Sequence, residues 1–194
     1  MQSIRWFFPI LILSLGSCKK WATKQEYTLD PGFRSYFNYK NGSEWNYIEI
    51  NDTTKKETVT VTGFMDGKMV WDALEQEFLQ YDLISTRDSS YKIRLIADAN
   101  NVGRAAILVK DTLYKQAAEW YYVGGNFAGT VGSGDTFIFH SNYTQAGKSY
   151  TDVIEFKPKK DNYFQRIWLA SKVGIIRKEL KSGEVYILKS YLVQ

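Results

Sequence analysis

The chain has 194 residues, 44% of them hydrophobic and 16% aromatic, and carries a formal net charge of +4 from 25 basic and 21 acidic side chains. That length suits one domain with a sizeable core, and the charge is too mild for a nucleic-acid-binding surface, which gathers its basic groups into a stripe. A single cysteine rules out an internal disulfide, and together with a single histidine it argues against a zinc site.

Residues 1–17 read as a secretory signal. Arg5 precedes an apolar run from Trp6 to Leu15, and Gly16-Ser17 supplies a small-residue exit. A membrane-spanning helix needs about twenty apolar residues, twice what this run offers before Lys19-Lys20 closes it. The four residues Leu15-Gly16-Ser17-Cys18 resemble the lipobox of bacterial lipoproteins. The resemblance implies a diacylglyceryl group on the Cys18 thiol, cleavage just before Cys18, and acylation of the new amino group. One acyl chain binds a bilayer reversibly, at about 0.8 kcal/mol per buried methylene, whereas two or three hold durably. Lys19 stands where enteric lipoproteins retained at the inner membrane carry aspartate, which implies the outer membrane.

Residues 18–32 form the lipidated N-terminus and a polar tether ending in the turn-like Asp30-Pro31-Gly32, and residues 33–194 form a single β-rich domain. The domain holds most of the 14 Tyr, 11 Phe and 6 Trp, and the whole chain has only three prolines, a balance that favours strands. The aromatics fit either a thick β core with cross-strand pairs or an aromatic-lined pocket.

Asn41-Gly42 turns the chain into a strand at Trp45–Ile50. Glu57–Phe64 alternates, with Val59 and Val61 on one face and Thr58, Thr60 and Thr62 on the other, and Asp66-Gly67 is read as the next turn. Over residues 70–85, Val70, Leu74, Phe78 and Tyr81 recur at helical spacing, while Tyr81–Ile84 reads as extended. The first half of that segment is left between helix and strand. After Arg87–Ser90, a strand sets Tyr91, Ile93, Leu95 and Ala97 against Lys92, Arg94 and Asp98. Ala105–Val109 is apolar enough to be covered on both faces. Further strands are expected at Trp120–Val123, Thr136–His140, Tyr150–Lys157, Phe164–Ala170, Val173–Leu180 and Val185–Leu192, the last two joined by a tight hairpin at 181–184. The expected fold is mainly β: an antiparallel meander of about nine to ten strands forming a curved sheet, half-barrel or barrel.

The C-terminal stretch, from Ser149-Tyr150-Thr151-Asp152-Val153-Ile154 through Ile167-Trp168-Leu169-Ala170 to Val173-Gly174-Ile175-Ile176-Arg177-Lys178-Glu179-Leu180, resembles uncharacterised β-rich envelope lipoproteins. It is also similar, more loosely, to the curved sheets of periplasmic lipoprotein carriers, which implies an acyl chain held between a half-barrel and helices. Gly174 is expected to permit a close backbone approach or a bulge.

Candidate chemistry is sparse. His140 as a general base needs an orienting carboxylate and a nucleophile beside it. Val131-Gly132-Ser133-Gly134 lacks the Lys-Ser/Thr ending of a phosphate loop and reads as an inter-strand loop that could line a binding mouth. Glu75 and Glu77 share a face in a strand, without the spacing across a cleft that a glycosidase requires. Asp98-Ala99-Asn100-Asn101 lacks the ligand spacing of a calcium loop. Lys157, Lys159, Lys160, Arg177, Lys178 and Lys181 suit protection of strand edges better than contact with anionic headgroups. The sequons at Asn41 and Asn142 carry no weight beside a bacterial signal.

These residues point to a non-enzymatic lipoprotein of the cell envelope, anchored through Cys18 in the outer membrane, without cofactor or metal, and serving as a binding or scaffold module for another envelope protein. The alternative is a periplasmic carrier of an apolar ligand or lipid in a β half-barrel.

Overall fold

The computed structural model describes residues 25–71, 74–87, 90–98, 102–110, 114–123, 125–128, 135–158 and 163–194. Cys18, the signal, the lipobox, Gly132–Gly134, Lys159 and Lys160 lie outside the described residues.

Thirteen strands and one short helix make up the described part. They are β1 (Gln25–Tyr27), α1 (Pro31–Ser35), β2 (Glu44–Glu49), β3 (Lys56–Trp71), β4 (Leu74–Ser85), β5 (Ser90–Asp98) and β6 (Val102–Lys110). There follow β7 (Tyr114–Val123), β8 (Asn126–Ala128), β9 (Thr136–Gln145), β10 (Lys148–Lys157), β11 (Phe164–Ala170), β12 (Gly174–Leu180) and β13 (Val185–Leu192). The sheet order is β8-β7-β6-β5-β4-β3-β2-β13-β12-β11-β10-β9. Every pairing along that path is antiparallel, and β2 pairs with β13, so the two ends of the meander meet in the middle of the sheet. The sheet curls into a nearly closed barrel whose two terminal strands, β8 and β9, face each other across a seam. The mainly β, antiparallel expectation therefore holds, with more strands than the nine or ten expected.

Period-2 alternation places the core. In β2, Trp45, Tyr47 and Glu49 point inward, and in β12 Gly174, Ile176, Lys178 and Leu180 do the same. Among the described residues, inward side chains of β2–β6 and β10–β13 join one buried cluster with Tyr122 of β7, and Phe137 and Tyr143 of β9 pack against it half-buried. Ala106 and Leu108 of β6 stay partly exposed, so the apolar run at 105–109 is not covered on both faces.

The long hairpin of β3 and β4 corrects one expectation and decides one question left open. Asp66-Gly67 is not a turn, because β3 continues to Trp71, with Gly67 opposite Phe78 in an unbroken register. The segment from Leu74 is a strand from its first residue. Its inward positions are the odd ones (Glu75, Leu79, Tyr81, Leu83), so Leu74 and Phe78, which suggested helical spacing, sit on the other face.

From Gln25 on, the stretch expected to be tether is packed. β1 pairs in parallel with the start of β4, and Tyr27 and Leu29 are buried. Asp30 caps α1, accepting from the Gly32 and Phe33 amides at 2.7 and 3.1 Å, and Pro31 opens the helix. α1 drives Phe33 into the barrel beside Tyr122, ring centroids 5.3 Å apart. Gly103 of β6 makes room, since a Cβ there would lie 2.7 Å from the Phe33 ring.

One stretch of wall is split. The β12–β13 ladder ends at Arg177–Ile187, although β13 runs on beside β2 to Leu192. Side chains take over the open carbonyls: Trp45 Nε1 donates to Val173 at 2.6 Å, Tyr47 Oη to Ile175 at 2.8 Å and Gln145 Nε2 to Ile176 at 3.1 Å. Gly174 has φ +98°, and a Cβ there would lie 2.6 Å from the Tyr39 hydroxyl, which is the close approach expected of it.

Candidate binding cleft at the barrel seam

Among the described residues the barrel interior is densely packed: Tyr81, Phe33, Phe37, Phe164, Leu95 and Ile167 are fully buried. One void of about 40 Å³ lies among Tyr39, Trp45, Tyr47, Phe164 and Lys178. Against it lies the most buried ion pair of the described residues: Lys178 Nζ of β12 is 2.7 Å from Glu57 Oε1 of β3. Ser85 Oγ donates to the same oxygen at 2.8 Å, and the ammonium sits 4.7 Å from the centre of the Tyr47 ring. Burial holds the Tyr47 and Tyr39 hydroxyls well above the usual tyrosine range, with Glu57 adding to the rise at Tyr47. Lys178 thus leaves the group of surface lysines expected to guard an edge. It is an internal charge on a strand paired on both sides.

His140 lies within β9 and faces a carboxylate. Its Nε2 is 3.1 Å from Glu155 Oε2, whose other oxygen takes Arg166 Nη1 at 2.9 Å. Arg177 extends the network through Glu179 at 2.6 Å, and its guanidinium lies 4.5 Å from the centre of the Trp168 ring. Each carboxylate is therefore engaged by an arginine on the outer face of β10–β12. Glu155 supplies the orienting group a base would need, but the described hydrogen bonds bring no hydroxyl nucleophile to the imidazole.

Glu75 and Glu77 share the β4 strand but are not solvated. Lys68 holds Glu75 at 2.7 Å, and Glu77 accepts the Leu29 amide and Arg34 Nη1, both at 2.7 Å. They tie the N-terminal segment to the barrel. No group of three or more His, Cys, Asp or Glu among the described residues is placed to hold a metal ion. No helix among them is long and apolar enough to cross a membrane.

An aromatic-lined open space lies at the seam. A cleft of about 220 Å³ lies between β8 and β9. Its floor is Tyr36, Tyr122 and Phe127, with Phe127 edge-on to both tyrosines at centroid distances of 5.0 Å. Its far wall is Phe137, Ile138 and Phe139 of β9 with Ile154 behind. Burial and then the charge of Asp152 push the Tyr36 hydroxyl up to about 12, so the floor is uncharged at neutral pH. Phe139 is 59% exposed and Ile138 45%, an unusual state for such side chains side by side on one strand. A larger open groove of about 810 Å³ runs beside α1 past Lys172 and Tyr191, with a more polar lining.

No family model, curated protein or solved structure matches the chain. The residues of the cleft were each legible as strand or aromatic positions, but none was singled out by sequence. Their meeting depends on which strands end the sheet.

Proposed function

We propose that the chain is a membrane-anchored lipoprotein of the cell envelope, acylated at Cys18 and held at the outer membrane, and that its barrel is a non-enzymatic binding or scaffold module. The observation that carries the binding reading is a contrast of spaces. The void among Tyr39, Trp45, Tyr47 and Lys178 offers about 40 Å³, while the seam offers about 220 Å³ of aromatic-lined cleft flanked by exposed Ile138 and Phe139. Small-molecule sites commonly enclose about 300–1,000 Å³, so a void of about 40 Å³ does not suit an enclosed ligand. The open, aromatic-lined seam favours recognition by surface contact instead. The anchor rests on the lipobox Leu15-Gly16-Ser17-Cys18 and the apolar run before it.

The same cleft favours a second reading, carriage of one apolar chain or ring against Tyr36, Tyr122 and Phe127. Native mass spectrometry of the full-length protein purified from membranes separates the two. A binding or scaffold module emerges with acyl groups on Cys18 and an otherwise empty barrel. A carrier emerges with an additional apolar molecule that is lost in Phe139→Lys. A free thiol at Cys18 overturns the anchor.

A further inference from the structure

β9 ends the path of paired strands in the described sheet. It pairs with β10 on one side, and on the other no ladder joins it to any described strand. The strand facing it, β8, has three residues against its ten. Soluble proteins usually protect such an edge with lysine, proline, a bulge or shortness. Thr136–Gln145 has neither charge nor proline on it: it contains no Lys, Arg, Asp, Glu or Pro. Its register with β10 does not shift, and the ladder skips only Ser141, opposite Asp152 at φ +51°. It ends in a two-residue turn, Ala146-Gly147, with φ +49° and +75°, so the pairing with β10 runs to its tip. Ile138 and Phe139 stand exposed on it.

We propose that β9 is a docking edge for a second copy of this chain, the two β9 strands pairing antiparallel about a two-fold axis. The proposal rests on the reading of the seam as the working surface and names its partner. Unused backbone N–H and C=O groups select an extended strand. An uncharged strand meets its own copy without like charges in opposition, which is the usual bar to self-pairing. A two-fold contact is isologous, so one patch suffices on both partners. With Phe139 opposite its counterpart in the second copy, the two exposed rings cover each other, while Ile138 lies on the other face of the joined sheet.

Sedimentation velocity of the full-length protein in detergent, over a hundredfold concentration range, tests this. The native chain is expected to dimerise. Phe139→Lys and Phe139→Glu are each expected to dimerise roughly a hundredfold more weakly, since two aromatic side chains leave the interface. An equimolar mixture of the two variants is expected to restore the dimer. A cooperative thermal transition in each variant confirms that the barrel is intact, and Thr136→Lys offers the same edge charge with less loss of packing. A native chain that stays monomeric, or variants that dimerise as the native chain does, or a mixture that fails to recover, overturns the proposal. An empty barrel in native mass spectrometry can coexist with any of these results, so the binding reading and the self-pairing stand or fall separately.

Discussion

Tyr47 reaches from β2 across the barrel wall and donates its hydroxyl to the Ile175 carbonyl at 2.8 Å. It does so where the ladder between β12 and β13 has ended, so a side chain replaces a backbone partner. With Trp45 on Val173 and Gln145 on Ile176, three donors close the split from both sides. Tyr47→Phe is expected to cost about 1–3 kcal/mol, the range for a polar group left without its partner. Hydrogen exchange should show the loss locally. Amides of 174–176 exchange faster, while those of 177–179, still paired with β13, change little.

The Glu57–Lys178 pair links β3 to β12 in the barrel interior. Removing one partner of a buried pair is far costlier than replacing both. Lys178→Met alone is expected to cost about 3–5 kcal/mol in urea unfolding. Glu57→Gln combined with Lys178→Met should recover much of that loss. A double variant as unstable as the sum of its single changes would show that the two charges do not depend on each other.

Phe33 and Gly103 fit as ring against bare backbone. Gly103→Ala puts a methyl group into the ring and is expected to cost about 1–3 kcal/mol, as overpacking does. Phe33→Leu trims the obstacle. The pair should therefore be less damaging together than the separate losses imply, with a coupling of about 0.5–3 kcal/mol measured by a double-mutant cycle.

Tyr39, Tyr47 and Tyr81 are buried, and burial raises all three hydroxyls above the ordinary tyrosine value of 10.0. The unfolded chain loses these protons first as pH rises, so above pH 10 it binds fewer protons than the folded chain. Stability is then full below the unfolded value and declines as pH climbs from there toward the folded values. An absorbance titration of phenolate is expected to show a late group of tyrosines that ionise together with unfolding. If all 14 tyrosines titrate as a single early group, the buried assignment is wrong.

Local pattern revealed much of the barrel. Alternation at Glu57–Phe64 and in β5 is clean enough to place Val59, Val61, Ile93 and Leu95 inward from sequence, and Gly174 was legible as a close approach. The β3–β4 hairpin misled because Gly67 reads as a turn residue. In the sheet it lies under the Phe78 ring, where a Cβ would come within 3.2 Å, so the aromatic covers the gap and the strand runs through. β9 and β10 were read too short because Ala146-Gly147 lacks the usual Asn or Asp of a two-residue hairpin. The seam could not be read at all. Which strand ends a sheet is a property of pairing between distant segments, as is the partnership of Lys178 with a glutamate 121 positions away. Composition marked Lys178 as a surface charge because lysine is seldom buried without a partner, and that partner is visible only in the fold.

The account's central claim is that the chain works through the seam between β8 and β9. Photo-crosslinking in native membranes tests it most directly, with p-benzoylphenylalanine placed at Phe139 or, as a comparison, at Val70. Both positions are well exposed, at 59% and 60%, but Val70 lies on the far β3–β4 hairpin. The expected result is a discrete protein adduct from position 139 that is absent from position 70, with the mass of a dimer if the partner is a second copy. Equal labelling from both positions, or none from position 139, would contradict the account.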